Sequence, residues 1–126
     1  MRPICEIADH EGEYKDFTGV IDWQGSKGKV EKAHFKLDHS GIYWVKGTWL
    51  SGVWENGAWL DGFWINGTWE NGIWVHGLWR NGIWKDGEWH DGKWEKGTWF
   101  NGTKINGIWI KVKYGNEKVI MRGDTR

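Results

Sequence analysis

The sequence lacks several features that define common protein classes. It contains one cysteine, Cys5, so no internal disulfide can form, and this fits a reducing compartment. No apolar run approaches the roughly 20 residues of a membrane-spanning helix, and the N-terminus lacks the apolar core of a signal peptide. Seventeen basic and 17 acidic side chains give a net charge of zero, so we expect neither a nucleic acid nor a membrane as partner.

Tryptophan and glycine, in contrast, are abundant and regularly spaced. Glycine occupies every fifth residue from Gly47 to Gly107, and the matching positions from 44 to 109 hold tryptophan except at Lys104. The repeating unit is [Asn/Asp]-Gly-x-Trp-x, as in WENGAW, WINGTW and WKDGEW. The 14 tryptophans supply the burial that disordered segments lack, and therefore predict a folded repeat protein.

Conventional strands are predicted on both sides of the repeats. Residues 17–23 and 30–37 alternate apolar and polar side chains, and a shorter apolar segment precedes them. Residues 108–114 alternate in the same way, and Gly115-Asn116 is predicted to turn this strand back onto residues 119–121. Because unpaired strand edges promote aggregation, these flanking strands are expected to cap the array.

The length and the repeats predict one domain, residues 1–126, in three parts. Residues 1–42 are the N-terminal capping strands, and residues 43–110 are the pentapeptide repeat array. Residues 111–126 form a C-terminal capping hairpin.

Within the array, the pattern predicts an antiparallel meander of very short strands. Asn-Gly and Asp-Gly between short β-prone segments are the strongest local signal for a hairpin, because both residues tolerate positive φ. The hexamer Trp-x-Asn-Gly-x-Trp resembles the turn of designed tryptophan-zipper peptides. Glycine at every fifth position excludes a helix. The twist between neighbouring strands would wind this all-β sheet into a coiled or bracelet-like slab.

The odd period constrains this meander, because successive residues of a strand direct their backbone groups to opposite neighbours. Either turn types alternate and all tryptophans share one face, or each turn is a three-residue loop and successive tryptophans alternate faces. Both arrangements have a structural repeat of ten residues. A parallel β-helix with one pentapeptide on each of four sides is the alternative, although four inward indoles per coil would overfill such a tube.

The residues that follow glycine favour alternating faces. Val53, Phe63, Ile73 and Ile83 would lie on the same face as Trp49 and its equivalents, and this face is predicted to be buried. The opposite face is predicted to be partly exposed and to offer a surface for a ligand or partner. Its tryptophans are Trp44, Trp54, Trp64, Trp74, Trp84 and Trp94.

The residue patterns indicate no catalytic site. The five histidines are scattered without cysteine partners or metal-ligand spacing, so they are predicted to be exposed polar residues. The Asn and Asp residues of the repeats are explained by turn formation, and no recognised calcium motif accompanies them. We therefore expect no enzyme activity, cofactor or metal. An adhesion-type tripeptide, Arg122-Gly123-Asp124, is attributed to chance.

The tandem units NGTWENGIW and DGKWEKGTWFNG resemble the Gly-Trp pentapeptide-repeat proteins of tailed bacteriophages, notably those of cyanobacteria. They are more distantly similar to the hairpins of MORN repeats, but have a shorter period and lack the Tyr-x-Gly start. The phage resemblance covers about half the chain and implies a small non-enzymatic protein of the virion or the host cytoplasm. It carries no activity over to particular residues.

Two classes of function are therefore expected. The first is a structural or assembly protein that forms a dimer or tetramer through its tryptophan-rich faces, because the terminal strands are too few to cover both. It would act with other phage or host proteins. The second is a module that binds carbohydrate or mediates adhesion through exposed rows of tryptophan.

Overall fold

The computed structural model describes residues 6–115, and every regular element in that range is a β-strand. The first four strands are followed by twelve strands of two or three residues each. In chain order the strands are β1 (Ile7–Ala8), β2 (Gly12–Trp23), β3 (Ser26–Asp38), β4 (Gly41–Trp54), β5 (Gly57–Trp59), β6 (Phe63–Trp64), β7 (Thr68–Trp69), β8 (Ile73–Trp74), β9 (Leu78–Trp79), β10 (Ile83–Trp84), β11 (Glu88–Trp89), β12 (Lys93–Trp94), β13 (Thr98–Trp99), β14 (Thr103–Lys104), β15 (Ile108–Trp109) and β16 (Lys113–Tyr114).

The N-terminal segment forms strands, as the alternating pattern predicts. Strands β2 and β3 are antiparallel and joined at Gln24-Gly25, where both residues have positive φ, and β3 then pairs antiparallel with β4. The predicted inward face of β3 is confirmed, because Ala33, Phe35 and Leu37 are all buried. The flanking segment before the array is therefore a layer of conventional β-structure over the first repeats.

From Gly41 onward the chain coils in one direction and forms a β-solenoid. Each short strand pairs in parallel with the strand fifteen residues earlier, as Trp59 does with Trp44 and Trp74 with Trp59. One coil is therefore three pentapeptides long and has three sides. The prediction of an antiparallel meander with a repeat of ten residues is wrong, although the prediction of an all-β repeat fold is confirmed.

The three sides are three parallel ladders of strands that all begin in β4. One ladder continues through β5, β8, β11 and β14, and another through β6, β9, β12 and β15. The third passes through β7, β10, β13 and β16. In a parallel ladder each residue lies beside its equivalent in the next coil, so every position of the pentapeptide forms a column along the solenoid.

The two-residue strands satisfy their backbone groups with a regular pattern of hydrogen bonds. The Ile83 amide donates to the Gly67 carbonyl at 2.9 Å, and the Lys85 amide donates to the Trp69 carbonyl at 2.8 Å. Equivalent bonds recur along the array. Because each coil is bonded to its neighbours, very short strands are stable here that would not be stable in an isolated hairpin.

Glycine is required at the corners for two reasons, as Gly72 illustrates. Its φ is +131°, which disfavours any residue with a Cβ, and a Cβ there would lie 2.3 Å from the Gly57 carbonyl oxygen. The glycine period therefore reports close stacking of coils rather than hairpin turns. This is why the hairpin interpretation of Asn-Gly and Asp-Gly failed.

The C-terminal flank also differs from the prediction. Residues 108–114 do not form one strand, because β15 and β16 lie on two different sides of the last described coil. Coiling thus continues beyond residue 110. The predicted return onto residues 119–121 lies outside the described residues, as does Arg122-Gly123-Asp124.

Candidate functional site

The interior of the solenoid is built almost entirely from indole rings. Each tryptophan stacks on the equivalent ring of the next coil, with centroids 4.7–5.2 Å apart and planes within 6° of parallel through Trp99. Successive tryptophans within a coil meet edge to face, at 5.6–5.9 Å and 67–71°. Both are favourable aromatic geometries. Three indoles per coil fill the interior. The alternative of a parallel coil with one pentapeptide on each side is therefore correct in its coiling, but the coil has three sides rather than four.

The six tryptophans predicted to form a partner surface are all inside this column. The structure leaves 0% of each side chain exposed: Trp44, Trp54, Trp64, Trp74, Trp84 and Trp94. The apolar residues predicted to share the buried face are instead outside, since Phe63 is 52% exposed and Ile73 is 40% exposed, whereas Trp49 and its equivalents through Trp99 are buried as predicted. The two-faced sheet is therefore wrong, because all tryptophans point inward and the residues after glycine point outward.

Indole N–H groups contribute hydrogen bonds at only some levels of the column. The Nε1 atoms of Trp74, Trp84 and Trp94 donate at 3.1 Å to backbone carbonyls near the next corner. Eight other buried indole nitrogens have no hydrogen-bond partner among the described residues. Ring stacking and apolar burial, rather than polar contacts, are therefore the main source of stability in the interior.

The N-terminal end of the column is covered by aromatic side chains of β2 and β3. The Phe35 ring stacks on Trp44, with centroids 5.8 Å apart and planes 7° apart. Tyr14 stacks on Phe35 from the other side at 5.0 Å. The aromatic stack thus continues into the antiparallel layer, which closes this end.

The C-terminal end is different, because Lys104 replaces an indole in the last described coil. Its Nζ lies 4.4 Å from the Tyr114 ring centroid, 4.6 Å from Trp109 and 5.2 Å from Trp99. It also donates a hydrogen bond to the Tyr114 hydroxyl. An ammonium surrounded by three aromatic rings is held by cation–π attraction. The sequence pattern located the missing tryptophan but assigned it to an outer polar face.

Large apolar side chains are exposed around this same end. Ile108 is 62% exposed and Ile105 is 60% exposed, and Ile110 and Phe100 are also exposed. The remaining outer surface of the middle coils is more mixed, with residues such as Arg80, whose Nε lies 3.0 Å from Glu95. The terminal coil thus carries several exposed apolar side chains around a partly buried cation.

One edge of the solenoid carries a groove of about 780 Å³. Glycines form its floor, and Phe63 and Leu78 lie along one wall. The other wall is a column of polar residues from successive coils: Lys46, Asp61, His76 and Asp91. In this column the His76 Nδ1 lies 3.4 Å from the Asp61 carboxylate.

The titratable groups show one shift with a clear cause. The hydrogen bond from the His34 ring to Glu13, at 2.6 Å, lowers the pKa of the Glu13 carboxyl, and nearby lysines add to the effect. Within residues 6–115, no group of three or more His, Cys, Asp or Glu side chains could hold a metal ion. No helix in that range is long and apolar enough to cross a membrane.

The groove was missed because the residues of its wall are fifteen positions apart. This wall becomes visible only when outward positions are compared at this spacing. Asp61 with His76, and Arg80 with Glu95, are complementary pairs at that interval. Such pairs are the sequence signal that favoured a three-sided coil.

Comparisons with protein-family models, with curated proteins and with solved structures find no match to this chain. The arguments for function therefore rest on the geometry and on the resemblance of the repeat motif.

Proposed function

We propose that the chain is a non-enzymatic structural or assembly protein that acts as a rigid column and docks through its last coil. The observation that carries this proposal is the exposed apolar cluster around the C-terminal end of a fully packed aromatic column. Large apolar side chains exposed at one end of a protein are typical of a contact surface. The partner surface is thus an end of the solenoid rather than a row of tryptophans.

The architecture supports a mechanical role for the rest of the chain. Every coil from Trp44 to Trp99 repeats the same three-ring layer and the same backbone bonds to its neighbours. A solenoid whose units contact only adjacent units has stability distributed along its length. Such a column holds its two ends at a fixed separation, which suits a spacer or connector in an assembly.

A bacteriophage origin, with location in the virion or the host cytoplasm, is proposed on the motif resemblance alone. Self-association needs a new basis, because the chain covers its own tryptophans. The expected dimer or tetramer was argued from two uncovered faces that do not exist. Any contact between copies would therefore use surfaces other than the rows of tryptophan.

Site-specific photocrosslinking tests the docking proposal. A photoreactive phenylalanine analogue replaces Ile108 on the last coil or, as a matched control, Ile83 in the middle of the same array, and each protein is expressed in its native cells. We expect defined adducts from position 108 and few from position 83. Equal labelling at the two positions would contradict docking through the last coil.

The groove supports carbohydrate binding as a second candidate function. Apolar side chains on one wall suit the carbon–hydrogen faces of sugar rings, and the opposite wall offers carboxylates and an imidazole for hydroxyl groups. Each coil contributes one residue to each wall, and equivalent positions on adjacent coils are about 4.8 Å apart. A groove with such a spacing suits a linear polysaccharide better than a single sugar. The six tryptophans named for this role are replaced here by Phe63, Asp61 and Asp91.

Calorimetric titration with a panel of linear polysaccharides tests this candidate. If one binds, Phe63→Ala and Asp61→Asn should each weaken it by about tenfold or more, which corresponds to about 1.4 kcal/mol. Ile83→Ala, on another side of the solenoid, serves as the matched control and should leave binding unchanged. Absence of binding across the panel, or equal effects of all three substitutions, would reject the groove as a glycan site.

A further inference from the structure

Lys104 occupies a position that the repeat otherwise reserves for an aromatic ring. It pairs in parallel with Trp89, so its side chain enters the interior where the next indole of that column would lie. All other inward positions of the described coils, from Trp44 onward, hold tryptophan or, at Tyr114, tyrosine. The substitution falls in the last coil of the described residues.

The lysine changes the shape of this end as well as its charge. Trp109 leaves the stacking geometry of its column, since its ring is 28° from the plane of Trp94 and 52° from that of Trp89. The Trp109 ring tilts toward the space above Trp89, where a ring at position 104 would otherwise lie. The last described coil therefore presents a tilted Trp109 ring beside an ammonium, whereas the rings of the preceding coils, through Trp99, stack within 6° of parallel.

A third indole at this position would create a surface prone to association. Strands β14, β15 and β16 each pair on one side only within residues 6–115. Flat aromatic layers with unpaired strand edges are templates for further stacking, and natural β-proteins block such edges with inward-pointing charges. The chain has a net charge of zero, so overall charge repulsion gives no protection against association.

We propose that Lys104 is a stop signal in the aromatic column, which prevents two copies from associating through their last coils. Two solenoids joined end to end around a two-fold axis would bring two ammonium groups together near that axis, away from water. Like charges in such surroundings repel strongly. Head-to-tail stacking is prevented separately, because Phe35, Tyr14 and their strands cover the N-terminal end.

This inference refines the proposed docking role by excluding a second copy as the partner of the last coil. The proposed role of Lys104 concerns contacts between identical chains, whereas the docking proposal concerns adducts with different proteins. Either proposal can therefore fail while the other holds. The ammonium and the apolar residues around it remain available to a partner with a carboxylate at the matching point.

The test compares the masses of full-length variants by light scattering across micromolar concentrations. Lys104→Trp restores the third column, and Lys113→Trp adds an indole to the outside of the same coil as a matched control. Near-ultraviolet circular dichroism confirms that each variant is folded, and Lys104→Leu removes the charge with a smaller change of volume. We expect the wild type and Lys113→Trp to remain monomers.

Lys104→Trp should form dimers with an association constant about tenfold or more above that of the wild type, and Lys104→Leu should show a smaller increase. Folded but monomeric Lys104→Trp and Lys104→Leu would overturn the proposal. Equal association of Lys113→Trp would overturn it too, because it would show that any added indole on this coil causes association.

Discussion

The antiparallel N-terminal layer and the parallel array bury their cores by different means. In β2 and β3 the core alternates along each strand and mixes residue types, such as Phe17, Ile21 and Val30. In the array tryptophan fills one position of every pentapeptide from Trp44 to Trp99, and the ring below determines the position of the ring above. The antiparallel layer tolerates irregularity, including shifts of register between β2 and β3. The parallel ladders of the array have no such shift in the described residues.

The difference shows what regular stacking requires of the backbone. Coils separated by about 4.8 Å bring carbonyl groups so close to the corners that a side chain has no room there. The antiparallel layer has room at its own positive-φ glycine, Gly12, where a Cβ would meet nothing within 4 Å. Glycine is thus only a conformational requirement at Gly12, but both a conformational and a packing requirement at corners such as Gly72.

The largest expected effect comes from filling a corner. Gly72→Ala should destabilise the protein by more than about 4 kcal/mol or prevent folding, because it combines an unfavourable φ with a clash against the Gly57 carbonyl. Gly12→Ala has a similar φ but no clash, and should cost about 1–3 kcal/mol. Denaturant unfolding measures both, and equal losses would show that coil contact does not constrain the corner.

Removal of one ring from the middle of the column should have the next largest effect. Trp69 is fully buried and stacks on Trp54 and Trp84 at 4.8 Å, so Trp69→Ala should cost about 3–5 kcal/mol. Lys104→Ala at the partly exposed end should cost little. Thermal unfolding of the two variants would reveal the difference, and comparable losses would contradict the position of Lys104 at the end of the column.

The smallest effect belongs to the antiparallel layer and depends on pH. Since the hydrogen bond from His34 lowers the pKa of Glu13 in the folded protein, its stabilising contribution is complete above the ordinary glutamate pKa. It is lost as the pH falls through the lowered value. Glu13→Gln should therefore be slightly less stable than the wild type at about pH 7, and the gap should narrow as the pH falls below the ordinary glutamate pKa. A gap of constant size would exclude this carboxylate as the cause.

The sequence predicted the antiparallel layer better than the array, for a physical reason. Alternation in residues 17–23 and 30–37 reports directly which side chains are buried, and the structure confirms that face at Ala33, Phe35 and Leu37. In the array, every multiple of five preserves the pattern, so the motif alone does not distinguish a ten-residue repeat from a fifteen-residue coil. Asn-Gly and Asp-Gly also suit both a hairpin turn and a solenoid corner.

The repeat motif did not predict the candidate sites, because it does not specify which strands lie side by side. Phe63 and Asp61 line a groove only because β6 lies beside β9, and Ile105 and Ile108 lie together only because the last coil ends there. The single informative departure in the sequence was Lys104. To interpret this lysine, one must know that residue 104 points inward. The predicted two-faced sheet placed it on an outer face instead.

Disulfide formation between engineered cysteines tests the three-sided coil most directly. Thr68 and Ile83 are parallel partners on adjacent coils, at a separation of about 4.8 Å that suits a disulfide, and Cys5→Ser removes the natural thiol. Thr68→Cys with Ile83→Cys should oxidise to an intramolecular bond, detected by thiol counting and mass spectrometry. Thr68→Cys with Ile73→Cys joins positions on different sides of the coil and should not. Rapid oxidation of the second pair, with none of the first, would contradict the solenoid and restore the meander.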